Sequence, residues 1–108
     1  MKTSEKFCWL YMTAGSVEEA KSIGQILVGK NLAACVNLLE NMTSIYKWEE
    51  KLEESQEVIM IAKTRKTLMP KLIETVNSLH SYDCPCILEL PVQGGNSDFL
   101  SWIESQTA

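Results

Sequence analysis

The chain has 108 residues, of which 45% are hydrophobic and 22% charged, and its formal net charge is −4 at pH 7. This size and composition predict one folded domain over residues 1–108, built around a single hydrophobic core. The scattered basic residues exclude a nucleic-acid partner, and the absence of an apolar run near 20 residues excludes a membrane span.

The first predicted elements are a buried strand and an amphipathic helix. Residues Phe7–Met12 are apolar at every position, a pattern typical of a central strand that is covered on both faces. This run is shorter than the apolar core of a signal peptide, so we expect a cytoplasmic protein. Ser16 and Glu19 form a capping box that begins a helix, and Gly29–Asn31 end it.

A long β-hairpin is predicted next. The segment Leu32–Leu39 is almost wholly apolar, and Ile45–Trp48 alternates as a strand does. The polar stretch Glu40–Ser44 between them predicts a β-bulge within one long strand. The acidic and polar residues Glu49–Gln56 are expected to connect this strand to the apolar strand Glu57–Lys63, which completes the hairpin.

The remaining elements are a second helix, an edge strand and a short third helix. Thr67 is predicted to cap the second helix, and Ser81–Asp83 end it. The strand Cys86–Leu90 stands between two prolines, which sheets tolerate at their edges, so we expect an edge strand. Asn96 or Ser97 caps the last helix. Its apolar residues are expected to face the core: Phe99, Leu100 and Ile103.

The order of these elements defines a fold class and predicts self-association. The series β-α-β-β-α-β predicts a ferredoxin-like α+β fold, in which helices cover one face of an antiparallel sheet, with an added C-terminal helix. The other sheet face would then expose apolar side chains, a larger patch than monomers normally leave in contact with water. We therefore expect another copy of the chain to cover it, so that the protein forms a homo-oligomer.

One group of residues has the chemistry of a metal site. His80, Cys84 and Cys86 lie close together in the sequence, and imidazole and thiolate are ligands that suit copper or zinc. One residue separates the two cysteines, whereas closed zinc sites favour two to four, so buried packing thiols are the alternative interpretation. His80 also stands at the end of the second helix, where a cation interacts well with the helix dipole.

The sequence offers little for catalysis. Adjacent glutamates point apart on a strand or helix and cannot share a proton, and no Gly-x-Ser-x-Gly nucleophile turn occurs. A Cys–His dyad, made by Cys35 or Cys84 with His80, stays open as an alternative. We therefore predict that the protein is not an enzyme.

Aromatic residues of the hairpin suggest a pocket. Tyr46 and Trp48 share a strand face, and Lys63 ends the partner strand, so a pocket with an aromatic wall and an amine is one interpretation. The alternative is an aromatic anchor at a contact between subunits.

Short motifs are distributed along most of the chain. They are Thr13, Glu19-Ala20, Leu32-Ala33-Ala34-Cys35-Val36-Asn37, Ser44-Ile45-Tyr46-x-Trp48, Glu57, Lys63-Thr64, His80-x-Tyr82-x-x-Pro85, Pro91 and Leu100-x-Trp102. In their order and spacing these motifs resemble the CutA family of divalent-cation-tolerance proteins. The resemblance implies a ferredoxin-like fold and a tight trimer, similar to the PII signalling trimers, in which the long hairpin reaches across neighbouring subunits. It also implies a role in tolerance of copper and other divalent metals, and no enzymatic reaction.

The resemblance also implies two candidate sites. In similar family members copper is assigned to a Cys before the Thr that ends the first strand and to a His–His pair; here those positions hold Met12, Leu79 and His80. Met12 offers a soft thioether for Cu(I), and Cys84 and Cys86 offer thiols nearby. The alternative is a PII-like sensor that binds a small anionic ligand in a cleft between subunits. Its cleft would be lined by Tyr46, Trp48, Lys63, His80, Tyr82 and Cys35.

Overall fold

The computed structural model describes residues 6–108, so the first five residues of the predicted domain lie outside the described part. The described residues form a four-stranded antiparallel sheet and three α-helices, and this arrangement confirms the predicted ferredoxin-like α+β fold with its C-terminal helix. No helix within residues 6–108 is long and apolar enough to cross a membrane. The strands are β1 (Phe7–Ala14), β2 (Cys35–Trp48), β3 (Lys51–Arg65) and β4 (Ile87–Val92); the helices are α1 (Val17–Gly29), α2 (Met69–Leu79) and α3 (Ser97–Gln106).

The sheet has the strand order β2-β3-β1-β4, which places β1 in the interior and β4 at an edge, as predicted. Leu10 of β1 stands opposite Ala62 of β3 on one side and Glu89 of β4 on the other. Pro91 lies within β4, where an edge strand tolerates the loss of one backbone N–H donor.

One face of the sheet and two helices make the core. Alternate residues of β1 and β3 point to this face and are almost completely shielded from water, and α1 and α2 pack on them. Gly24 of α1 packs against Val36 of β2, and a Cβ atom there would make an ordinary van der Waals contact at 3.5 Å. The core includes Cys8, Leu10, Met12, Ala14, Ala20, Ile23, Leu27, Val58, Met60, Ala62, Leu72 and Val76.

The opposite face of the sheet is open over much of its area. Trp9 of β1 and Leu90 of β4 are 40% and 43% exposed on this face, and α3 covers only part of it. The prediction that β1 is covered on both faces is therefore only partly fulfilled within one protomer, because α1 and α2 cover one face whereas the single short helix α3 covers part of the other. The apolar open face is what the predicted self-association would cover.

The predicted side-chain caps are present at the N-termini of α1 and α3 but not at that of α2. The Ser16 hydroxyl accepts the N–H of Glu19 at 3.1 Å and so caps α1, and the Asn96 side chain caps α3 in the same way. Thr67, in contrast, does not cap α2. A 3₁₀ turn over Lys66–Leu68 precedes this helix, and no side chain caps it.

The hairpin is longer than the sequence predicts. The segment expected to be a polar connection, Glu49–Gln56, is a two-residue turn followed by the first part of β3. Glu49 and Glu50 occupy the turn with φ values of 51° and 67°. The predicted bulge is confirmed by a shift in strand register between Leu39 and Met42. The connection was wrongly predicted because residues 51–56, the first part of β3, are largely exposed on both faces in the protomer and lack the alternating apolar pattern of a strand.

Candidate functional site

Polar side chains converge where β1 ends, and we call Glu19, Glu57, His80, Ser81 and Tyr82 the β1-end cluster. The first turn of α1, the segment after α2 and the middle of β3 meet at this point. The Glu19 carboxylate accepts the backbone N–H of Ser81 at 2.6 Å and its hydroxyl at 3.1 Å. The capping-box glutamate thereby joins the start of α1 to the chain beyond α2.

His80 is held on both sides of its ring. Its Nδ1 accepts the backbone N–H of Tyr82 at 3.1 Å, so Nε2 carries the proton and donates it to the Thr13 carbonyl at 2.8 Å. The His80 side chain is 1% exposed, and Nδ1 lies 3.6 Å from a carboxylate oxygen of Glu19. Both ring nitrogens form hydrogen bonds to the backbone, so neither has a lone pair directed at a metal ion. In this arrangement His80 has a structural role, linking the end of β1 to the segment after α2.

The Glu57 carboxylate accepts hydrogen bonds from the hydroxyl groups of two residues. These donors are the Ser44 hydroxyl and, at 2.9 Å, the Tyr82 hydroxyl. Burial, followed by the hydrogen bond to Glu57, raises the pKa of Tyr82 to about 12, so its hydroxyl stays protonated and acts as a donor. Tyr46 donates at 3.3 Å to Ser55 on the adjacent strand.

The Glu19 carboxylate is stabilised in its charged form. Burial acts to raise the pKa of Glu19, but it is lowered below its usual range by the hydrogen bonds from the Ser81 N–H and hydroxyl, followed by the electrostatic effect of His80 and the hydrogen bond from the Gly15 N–H. Glu19 and Glu57 therefore give the cluster an acidic character, with tyrosine, serine and backbone donors around them.

The cysteines and Met12 occupy different environments. All four cysteines lie within the described residues and are free thiols; Cys84 is exposed and Cys86 half-buried. Burial, then the charge of Glu57 and the neighbouring Cys84, raises the pKa of the Cys86 thiol. Burial likewise raises the pKa of the core thiol Cys8 to about 11. Met12 is completely buried in the core.

The three-ligand metal site predicted from His80, Cys84 and Cys86 is not formed within the protomer. Among residues 6–108, no group of three His, Cys, Asp or Glu side chains is placed to hold a metal ion. The physical reason is local, because the turn at residues 80–82 directs both His80 nitrogens into backbone hydrogen bonds. The thioether of Met12 packs in the core and lies out of contact with solvent.

The residues predicted to line an aromatic cleft lie in three places. Tyr46 and Tyr82 are close to Glu57, whereas Trp48 lies at the tip of the hairpin and is 64% exposed. Lys63 and Cys35 stand opposite each other on β3 and β2, on the open face of the sheet. One protomer therefore does not bring these residues into one pocket.

Sequence reasoning named Glu19 as a helix cap and Glu57 as a strand end, but it missed their role as acceptors in the β1-end cluster. Both contacts join distant parts of the chain, since Ser81 follows Glu19 by 62 positions and Tyr82 follows Glu57 by 25. The sequence did contain one indication of these roles, because Glu19 and Glu57 both belong to the motifs that resemble the CutA family.

The fold and this cluster define a class of protein: a ferredoxin-like α+β chain with a long projecting hairpin, an open apolar sheet face and an acidic cluster at the end of β1. The family described as "CutA1 divalent ion tolerance protein" matches residues 8–106. The chain belongs to this family.

Individual relatives agree with the family match. "Protein CutA" of Mus musculus is 43% identical over 97 residues, which cover 90% of this chain and 55% of that protein. "Protein CutA, chloroplastic" of Arabidopsis thaliana is 38% identical over 98 residues, which cover 91% of this chain and 54% of that protein. The chain thus spans about half the length of these two relatives.

A solved structure of the "Divalent cation tolerance protein (Cut A1)" from Thermus thermophilus superposes with a TM-score of 0.92 at 39% sequence identity. The match covers 94% of this chain and 99% of that chain.

Proposed function

We propose that this protein supports tolerance to divalent cations as a cytoplasmic homotrimer that binds copper or a similar ion weakly and catalyses no reaction. The observation that carries the metal-binding part is the pair of free thiols in Cys84-Pro85-Cys86, next to the β1-end cluster. Thiolates are soft ligands that favour Cu(I) among the metals available to proteins.

The proposal assigns the ligands to Cys84 and Cys86 rather than to His80 or Met12. Cys84 is exposed to solvent, so an arriving ion reaches it without opening the core. His80 would have to break hydrogen bonds to Thr13 and Tyr82 before it could bind a metal. One residue separates the two cysteines, fewer than the two to four of closed metal sites, and the raised pKa of the Cys86 thiol disfavours its thiolate, which is why we propose weak binding.

Competition with a coloured Cu(I) chelator tests this assignment. Wild type, Cys84→Ser/Cys86→Ser and His80→Asn are compared under reducing conditions, with Cys35→Ser as a control that removes a thiol elsewhere. We expect the double variant to lose at least tenfold in Cu(I) affinity, and Cys35→Ser to bind as wild type does. Equal affinity in the double variant and wild type would refute the assignment.

Self-association, which the proposed trimer requires, is supported by the apolar side chains that a single protomer leaves in water. The outer hairpin, which we define as residues 45–54, exposes Ile45, Trp48 and Leu52, and the edge strand β4 exposes Leu88. Such groups in a soluble chain mark surfaces of contact with a partner, and closed symmetric assemblies of one chain are the commonest arrangement.

The proposed lack of catalysis rests on His80. A Cys–His dyad needs a histidine nitrogen that accepts a proton from the thiol, but both His80 nitrogens bind backbone groups.

A ligand-sensing role is a second proposal, supported by the Tyr82 hydroxyl that binds Glu57 and by Tyr46 close enough to affect the pKa of Tyr82. In an assembly that brings a neighbouring subunit against this region, a small ligand would bind between the two chains. A thermal-shift screen of nucleotides and other small anions tests it. We expect at least one compound to raise the melting temperature at millimolar concentration, and a uniformly negative screen would count against sensing.

A further inference from the structure

Two free thiols lie close together in the segment that connects α2 to β4. Cys84 is exposed and Cys86 is half-buried, and only Pro85 separates them. Both stand outside helices and strands, because α2 ends at Leu79 and β4 begins at Ile87. Cys84 is therefore part neither of the open sheet face nor of the outer hairpin, the two surfaces assigned to contact with other copies. A thiol in contact with solvent can react, whereas a thiol buried in a core is inert.

The spacing of the two cysteines suits a disulfide bond. A disulfide needs Cα atoms about 4.4–6.8 Å apart, and a step of two residues along an extended chain spans at most about 7 Å. Pro85 fixes its φ at about −65°, which keeps this step shorter than a fully extended one. The two sulfur atoms can therefore meet through side-chain rotation and a small adjustment of the backbone.

The chain around the pair is free to make that adjustment. It is fixed before the cysteines, where the Tyr82 hydroxyl binds Glu57, and again after them, where Ile87 pairs with β1. Within the described part of the chain, residues 83–86 take part in no side-chain hydrogen bond or ion pair. Closing a bond between the cysteines therefore leaves the core, the β1-end cluster and the pairing of β4 in place.

We propose that Cys84 and Cys86 form a thiol–disulfide switch that is oxidised by small-molecule disulfides such as oxidised glutathione. The exposed Cys84 sulfur attacks one sulfur of that molecule, forms a mixed disulfide with it and releases the first glutathione thiol. The Cys86 sulfur then attacks the Cys84 sulfur and releases the second glutathione thiol. The protein thereby loses two electrons and two protons, and the small disulfide takes up both and becomes two thiols.

The internal bond should be easy to reduce again. It closes a loop of only three residues, so it removes little entropy from the unfolded chain. Strain in so small a ring also makes a disulfide more reducible. The same fold is thus available with the pair oxidised or reduced, as reversible regulation requires.

The switch would regulate the proposed copper site. A disulfide has no thiolate to bind a metal ion, so oxidation of Cys84 and Cys86 would turn that site off. This regulatory consequence rests on the proposed function, whereas formation of the bond itself needs no metal.

Glutathione buffers test the switch on the assembled protein, with a metal chelator present. After acid quenching and alkylation, trypsin leaves Cys84 and Cys86 together on residues 72–108, whereas Cys8 and Cys35 fall on other peptides. As oxidised glutathione increases, we expect this peptide to escape alkylation and to be lighter by two hydrogen atoms than its dithiol form. Reduced glutathione should restore both alkylation sites. Full alkylation of both thiols in every buffer, as when a neighbouring copy covers Cys84, would overturn the proposal.

Single variants distinguish an internal disulfide from modification of one thiol. Cys86→Ser should keep glutathione on Cys84 as a stable mixed disulfide, because no second thiol is present to release it. Wild type should lose this adduct as its internal bond forms. Cys35→Ser removes a thiol elsewhere and is the matched control, so it should form the bond as wild type does. An adduct on Cys84 that is as stable in wild type as in Cys86→Ser would refute the internal bond.

The switch and the copper site can fail separately. Because the chelator removes metal from the glutathione experiment, its result does not depend on Cu(I) binding. If the two thiols bind no Cu(I) in the competition assay but still form the internal bond, the switch stands and only the metal assignment falls.

Discussion

The body of the sheet and the outer part of its hairpin are built on different principles. In the body, Leu10, Met60 and Leu72 are completely buried, and two helices complete the core within one chain. In the outer hairpin, Leu52 and Trp48 are 75% and 64% exposed, and the two strands pair with each other. The body therefore specifies its own structure, whereas the hairpin carries apolar side chains that only another chain could bury.

The largest expected difference between the two regions comes from one substitution made in each. Leu72→Ala removes a fully buried side chain and should lower the free energy of unfolding by about 2–5 kcal/mol, because it loses burial and leaves a cavity. Leu52→Ala should change the stability of the dissociated protomer by less than about 0.5 kcal/mol. Urea unfolding at several protein concentrations measures both.

In that series, the loss in Leu72→Ala should persist at every concentration. The effect of Leu52→Ala should appear only where subunits associate. Equal, concentration-independent losses in the two variants would show that the hairpin contributes to the core of its own protomer.

A smaller effect is expected at the β1-end cluster, which ties the body together. Glu19→Ala leaves the N–H groups of Ser81 and Gly15 without their acceptor and should cost about 1–3 kcal/mol. Glu18→Ala is the matched control, since Glu18 lies in the same first turn of α1 but is exposed. Thermal unfolding measures both variants, and equal losses would contradict the role assigned to Glu19.

At the hairpin turn, we expect a gain in stability. Glu50 has a φ of 67°, a left-handed conformation that glycine adopts without the crowding of a Cβ atom. Glu50→Gly should therefore raise the free energy of unfolding by about 1 kcal/mol, whereas Glu53→Gly, within β3, should lower it by about 0.5–1 kcal/mol. Chemical denaturation distinguishes the two signs, and a loss in both variants would contradict the strain at Glu50.

The most gradual effect is the pH dependence that Glu19 confers. Because its pKa is lower in the folded protein than in the unfolded chain, the stabilisation is fully present above the unfolded value near 4.5 and is lost as the pH falls through the folded value. The stability difference between wild type and Glu19→Ala should therefore shrink in acid. A difference that stays constant from pH 7 to pH 3 would contradict this account.

The same contrast between regions explains how far the sequence could predict the fold. The central strand, the Ser16 cap and the bulge after Leu39 leave local signals in the form of apolar runs, capping residues and polar interruptions. The first part of β3, residues 51–56, leaves none, since a strand with two solvent-facing sides has the composition of a loop. The start of α2 was wrongly predicted at Thr67 because a 3₁₀ turn supplies the helix entry without a side-chain cap.

The candidate site was less accessible to sequence reasoning than the fold. His80 and Tyr82 could be named from the motifs, but the hydrogen bond between the Tyr82 N–H and the His80 ring depends on the geometry of one turn. The acceptor roles of Glu19 and Glu57 depend on contacts across the whole fold. The pairing of Lys63 with Trp9 and Phe99 likewise appears only once α3 is placed against the sheet.

The central claim is that the open sheet face and the hairpin exist to contact other copies of the chain. Sedimentation equilibrium at micromolar concentration tests it most directly. The account predicts a trimer, three times 12.2 kDa or about 37 kDa. A single species of 12.2 kDa would contradict it.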